Sequence, residues 1–365
     1  MMGRGWRAAG RDATAVLAAA ALLAACNPLA RPSLNAYRPL QEKGAVSPKG
    51  ELTVRFGGTS TLVLDDGHET IMIDGFFSRP STLPMLFAPL RSNRVRVERD
   101  LKRLGVRLRA GSERTVRALF VAHSHHDHAM DSALVNQLTG AEVIGSRSTA
   151  IVVGAQGFKN TKVVGLDRVF PFERFTVTLF ETPHASHDMP LLRGKVNKPA
   201  GRPPFMWDYK ASDSHSYLVE HHHSGRCILI VPSATHLPEV NPFKGVVADL
   251  VLLSVAKVGF MRVADGQKYW RRTVTKTGAK RVVGIHWDDI RRPLGDKEGP
   301  IRSKTIPRLQ DRFHRGMRIL MPLALRDGVR LRLPMTYEPV NLGPPPLRHP
   351  ENDVTAFRCK SRWRG

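Results

Sequence analysis

The chain has 365 residues, 42% of them hydrophobic and 24% charged, which excludes a disordered polymer and leaves room for a sizeable core. Three cysteines are too few for a disulfide-stapled scaffold. A net charge of +24 favours anionic partners such as phosphate esters, lipid headgroups or nucleic acid, although Arg-rich composition alone gives the same surplus.

Arg4, Arg7 and Arg11 precede an apolar run from Ala13 to Ala25, broken only by Thr14. The run is too short for a stable membrane span but has the length of a signal-peptide core. It ends Leu23-Ala24-Ala25-Cys26, which resembles the lipobox of bacterial lipoproteins. That resemblance implies removal of residues 1–25, lipidation of Cys26 and a place in the cell envelope, lipid-anchored at a membrane surface. Residues 26–50, with Pro and Ala, read as a tether. A single folded domain is expected over 51–340 and a carboxyl-terminal tail over 341–365.

From Leu52 the pattern is that of a layered α/β domain. Leu52, Val54 and Phe56 alternate with polar residues, and Thr61–Leu64 and Thr70–Ile73 flank an Asp65-Asp66-Gly67-His68 turn. Further strands are predicted at Ala118–Ala122, Phe175–Phe180, Ser216–Glu220, Cys227–Val231, Leu250–Val255 and Arg281–Ile285. One helix is predicted from about Asp127 to Gly140, with Met130, Ala133, Leu134 and Leu138 on one face, and another over Gly266–Thr277. Residues 91–117 carry ten Arg and Lys around Val97, Leu101 and Leu104 at helical spacing. This is a solvated basic face or a dock for an anionic membrane. Residues 190–214 form a long loop with Pro, Gly, Phe205, Trp207 and Tyr209, either a wall of the site or a surface insertion. His221-His222-His223 reads as an exposed hairpin tip and Cys227 as a core thiol, with a Cys227–Cys359 bond unsupported by the sequence.

The chemistry concentrates after the Ala118–Ala122 strand, in His123-Ser124-His125-His126-Asp127-His128. Imidazole nitrogens and carboxylate oxygens at this spacing suit a divalent first-row metal such as zinc. His123 and His125 can meet at one ion, while Asp127 and His128 can face a neighbouring one.

This His-x-His-x-Asp-His run after a strand resembles the signature of the metallo-β-lactamase fold family. Asp74 at the end of Ile71-Met72-Ile73 resembles its first motif, and Gly57-Gly58 its amino-terminal hairpin. The hairpin points to the broad branch that holds N-acyl phosphatidylethanolamine phospholipase D-type enzymes and lactone hydrolases. The resemblance implies an α/β fold, a four-layer αββα sandwich, over about residues 50–300. It further implies one or two zinc ions: one on His123, His125 and His184 (or His187, farther from the strand end), the other on Asp127, His128 and His286. The strand ending at Val231 departs from the family pattern, with Ser233 where a bridging aspartate is expected and His236 nearby as a substitute. Ser233, His187, His236 and Asp74 therefore stand as further ligands or as supports to ligands.

The function that follows is metal-assisted hydrolysis in which Asp127 orients or deprotonates the attacking water. Phosphodiester or phospholipid-like substrates come first, probed as anionic small molecules or lipids. Lactone or ester hydrolysis is the alternative within the fold, and a non-catalytic metal-holding envelope lipoprotein the alternative outside it. The export signal disfavours nucleic acid.

Overall fold

The computed structural model describes residues 33–343 other than 43, 45–46, 159, 166–167, 185–188, 202, 234–236 and 294–310, together with Cys359. The run expected to be a signal peptide and Cys26 lie outside the described residues.

The strands in chain order are β1 (Gln41–Glu42), β2 (Thr53–Phe56), β3 (Leu62–Asp65), β4 (Thr70–Ile73), β5 (Ala118–Phe120), β6 (Glu142–Gly145) and β7 (Lys162–Val163). They continue as β8 (Val169–Pro171), β9 (Phe175–Glu181), β10 (His215–His221), β11 (Arg226–Val231), β12 (Leu250–Ser254), β13 (Arg281–Ile285) and β14 (Arg330–Pro334). The α-helices are α1 (Thr82–Phe87), α2 (Arg94–Arg103), α3 (His126–Ala129), α4 (Ser132–Thr139), α5 (Arg147–Gly154), α6 (Val263–Thr273) and α7 (Phe313–Arg326).

Strands β2 to β7 form one sheet in sequence order, and the other runs β1-β14-β13-β12-β11-β10-β9-β8. In the first sheet, period-2 alternation separates two faces. Val54, Phe56, Leu62, Leu64, Ile71, Ile73 and Phe120 join a core shared with β9 to β14. Val63, Met72, Leu119 and Val143 point the other way and pack with Val97 and Leu101 of α2 and Val135 of α4. Tyr269 and Trp270 of α6 and Met317 and Leu320 of α7 cover the second sheet. The result is the expected mixed α/β sandwich: helices, sheet, sheet, helices.

Nine predicted strands are present within a residue or two of their expected ends. The helix expected to run unbroken from Asp127 is instead two, α3 and α4. It breaks at Asp131, whose carboxylate accepts from the Phe77 and Ser78 amides at 2.8 and 2.7 Å and from the Ser78 hydroxyl at 2.6 Å. Gly140 ends α4 in the left-handed region, φ 74°.

The tether expected over residues 26–50 is corrected where it is described. Leu34 and Tyr37 are buried, Tyr37 meets His314 Nδ1 at 2.7 Å and β1 pairs with β14, so this segment covers a sheet edge. Nor is Cys227 a free core thiol. It is bonded to Cys359, which ties the expected tail to β11 across 132 residues. His221 is also corrected: it is buried, and its Nε2 donates to Asp66 Oδ2 at 3.1 Å, while His222 and His223 are exposed as expected.

Candidate metal centre

The site forms where the first sheet's parallel strands end. Past β4, the Asp74 amide donates to the Phe120 carbonyl at 2.7 Å, and Asp74 takes φ 50° to turn its carboxylate inward. That carboxylate accepts from the Ala122 amide at 2.8 Å, the Ser60 hydroxyl at 2.5 Å and His128 Nδ1 at 2.7 Å. Assigning the His128 proton to Nδ1 makes Nε2 the unprotonated nitrogen, the one that would ligate an ion. Asp74 thus supports a ligand.

Two groups of ligand atoms gather here, each with its atoms within 4.8 Å of one another: His123, His125 and His184, and Asp127, His128 and His286. The rings of His123, His125 and His184 lie 4.4 to 4.7 Å apart. His123 and His128 rings stand 3.9 Å apart, so the groups adjoin. In the second group, Asp127 Oδ2 lies 3.4 Å from His286 Nε2 and 3.8 Å from His128 Nε2. Five of these six side chains are buried and His184 is half-buried.

The donor set fits a divalent first-row metal. His123 Nε2 sits 3.0 Å from His125 Nδ1, so two imidazole nitrogens converge in a way that a shared cation would favour. Burial pushes His123 well below the ordinary imidazole range, with His128, His184 and His125 adding to the effect, which keeps it neutral for ligation. Burial alone would raise the Asp127 carboxyl, but His128, His286 and His126 outweigh it and hold the group well below its ordinary range. Asp127 is therefore an anion at neutral pH.

The long loop after His184 is a wall of this site. Its Leu192 carbonyl meets His125 Nε2 at 3.0 Å, and its Lys210 carbonyl accepts from Ser124 at 2.5 Å. Tyr209 and Met206 of the same loop are buried against the helices on the first sheet. Within residues 91–117 the helical spacing is realised as α2, Arg94–Arg103, with Val97 and Leu101 inward and Leu104 capping its end.

Of the expected residues, His123, His125, Asp127, His128, His184 and His286 come together and Asp74 stands behind His128. Ser233 is half-buried past β11. His187 and His236 lie outside the described residues. Sequence reading gave no role to His215, which is buried at the start of β10 with its amide donating to the Ala122 carbonyl at 2.9 Å. It also gave none to Ser60, although Gly57-Gly58 marked the turn that carries it.

Residues 54–231 match the metallo-beta-lactamase superfamily. A metal-dependent hydrolase of Heliobacterium modesticaldum is 26% identical over 153 residues, 42% of this chain and 52% of that protein. The match thus spans about half of the curated relative's length. Among solved structures, an isothiocyanate hydrolase from Delia radicum gut bacteria aligns over 77% of this chain and 96% of its own, with TM-score 0.44 and 19% identity. A metallo hydrolase from the archaeon Ignicoccus hospitalis aligns over 79% and 96%, with TM-score 0.45 and 14% identity.

Proposed function

We propose that this chain, whose residues 54–231 carry the metallo-beta-lactamase superfamily match, is a zinc-dependent hydrolase of phosphodiester or phospholipid-like substrates at a membrane surface. The observation that carries the hydrolase reading is the pair of adjoining ligand groups at the ends of the sheets. The first would be held by His123, His125 and His184 and the second by Asp127, His128 and His286. A divalent ion bound there acidifies water and polarises the oxygen of the bond to be cut. Asp127, an anion held between His128 and His286, orients the attacking water and receives its proton. Asp74 and Ser60 fix the His128 ring, and the loop carrying Leu192 and Lys210 walls the site from bulk solvent.

The substrate class is supported by charge: the +24 balance favours an anionic substrate. The envelope location is supported by the signal-like residues 1–26 and by the Cys227–Cys359 bond, since disulfides persist outside the reducing cytoplasm. The deciding experiment compares hydrolysis of bis(p-nitrophenyl) phosphate and of a γ-lactone by zinc-loaded and chelated protein. Zinc-dependent turnover of the diester above the lactone is expected. The reverse order would move the chain to lactone or ester chemistry, and turnover of neither, with metal bound, would favour the non-catalytic role.

A further inference from the structure

Behind His286 lies a buried network with no ligand among its members. Arg79 is 1% exposed, and its guanidinium meets Asp288 Oδ2 at 2.6 Å. It also donates to the carbonyls of Asp289 and Arg292 at 3.2 and 3.3 Å and to Thr59 Oγ1 at 3.3 Å. The other Asp288 oxygen accepts from the Thr59 amide at 2.7 Å, and the Thr59 carbonyl accepts from the His286 amide at 2.6 Å. An ion pair and hydrogen bonds through Thr59 thus connect Arg79 to the main chain of a candidate ligand.

The backbone along this chain is unusual. Arg79, Thr59 and His286 all lie in the left-handed region, at φ 43°, 52° and 59°. Non-glycine residues keep such conformations only where their surroundings over-determine them. A buried ion pair is also expensive to desolvate and is weak evidence of stability, so a role in fixing conformation explains it better. The turn at Thr59 has two outputs. Thr59 holds His286 from the second sheet, while Ser60 reaches Asp74 and, at 2.9 Å, His128 Nδ1 from the first. One turn therefore sets the spacing between two ligands that come from different sheets.

We propose that Arg79 and Asp288 are positioning residues for the second ion: by pinning the Thr59 turn they fix the main chain of His286 and aim its ring at Asp127. This rests on the metal-dependent reading above. The second group has one carboxylate and, with Ser233 past β11, gains none from that strand, so its affinity depends on how rigidly its ligands are held.

The test is cobalt(II) titration of the metal-stripped, untagged chain, read by visible absorption and by equilibrium dialysis. Wild type should take two equivalents. Asp288→Asn should fill the first with unchanged affinity and spectrum and weaken the second about tenfold or more, in the range seen when supports of metal ligands are removed. His286→Ala should lose the second while keeping the first. Should Asp288→Asn fail to fold, Arg79→Lys keeps the charge, loses the fork and should show the same split. Wild-type affinity at the second site in the folded variants, or equal weakening of both sites, would overturn the proposal. A single equivalent in wild type would overturn it while leaving a one-ion hydrolase intact, whereas no cobalt uptake would remove both readings.

Discussion

The two ligand groups sit side by side, yet they are held in opposite ways. His123, His125 and His184 are imidazole donors carried by loops, with His125 meeting a main-chain carbonyl and His184 half-exposed. Asp127, His128 and His286 include an anion and are backed by buried carboxylates, Asp74 behind His128 and Asp288 behind the Thr59 turn that holds His286. The first group can fit an ion by small loop adjustments. The second is fixed beforehand by charges already buried, and loss of any support should show there first.

The largest effect should come from Asp127→Asn. Turnover should fall about 10³-fold or more while the three-histidine group keeps its ion; near-wild-type rates with full metal content would erase the distinction between the groups. His123→Ala should lose the first ion and activity together, and full retention of metal by elemental analysis would remove His123 from the ligand set. Asp74→Asn should weaken only the second ion, about 10–100-fold, because the His128 tautomer is no longer fixed. Equal loss at both sites in dialysis would show that Asp74 supports the whole centre.

Away from the ions the effects should be smaller. Replacing Cys227 and Cys359 by Ser should cost about 2–5 kcal/mol in urea unfolding without changing metal content. A change in metal content would mean that the tie reaches the site. His215 offers a pH test at the start of β10. Burial, with Arg168 adding, pulls its pKa to about 4 from an ordinary value near 6.5. The unfolded chain then binds the proton more readily, so this contribution is complete above pH ~6.5 and lost as pH falls toward 4, about 3 kcal/mol in full. His215→Gln should flatten that slope; an unchanged slope would assign the acid sensitivity elsewhere.

Much of this was legible because strand ends and ligand spacing are local. An apolar run followed by His123, His125, Asp127 and His128 states both the strand and the chemistry, and His286 follows β13 in the same manner. What stayed hidden depends on distant partners. Arg79 looks like any surface arginine until the fold places it against Asp288, 209 positions on. Strand β1 and the Tyr37 contact are invisible in a segment that reads as a linker, whereas β14, Arg330-Leu331-Arg332-Leu333, alternates as a half-buried strand does and was open to a sequence reading that passed it by. Pro322 inside α7 argues locally against a helix that its buried face, Met317, Leu320 and Leu323, nonetheless forms. The break at Asp131 needs the Phe77 and Ser78 amides, which no helical periodicity reports.

The most direct measurement is the metal content per chain of untagged protein lacking residues 1–26, by elemental analysis before and after loading. Two equivalents of zinc or a similar divalent ion are expected, falling to one in His286→Ala. No bound metal, and none taken up on titration, would contradict the metal-dependent reading outright.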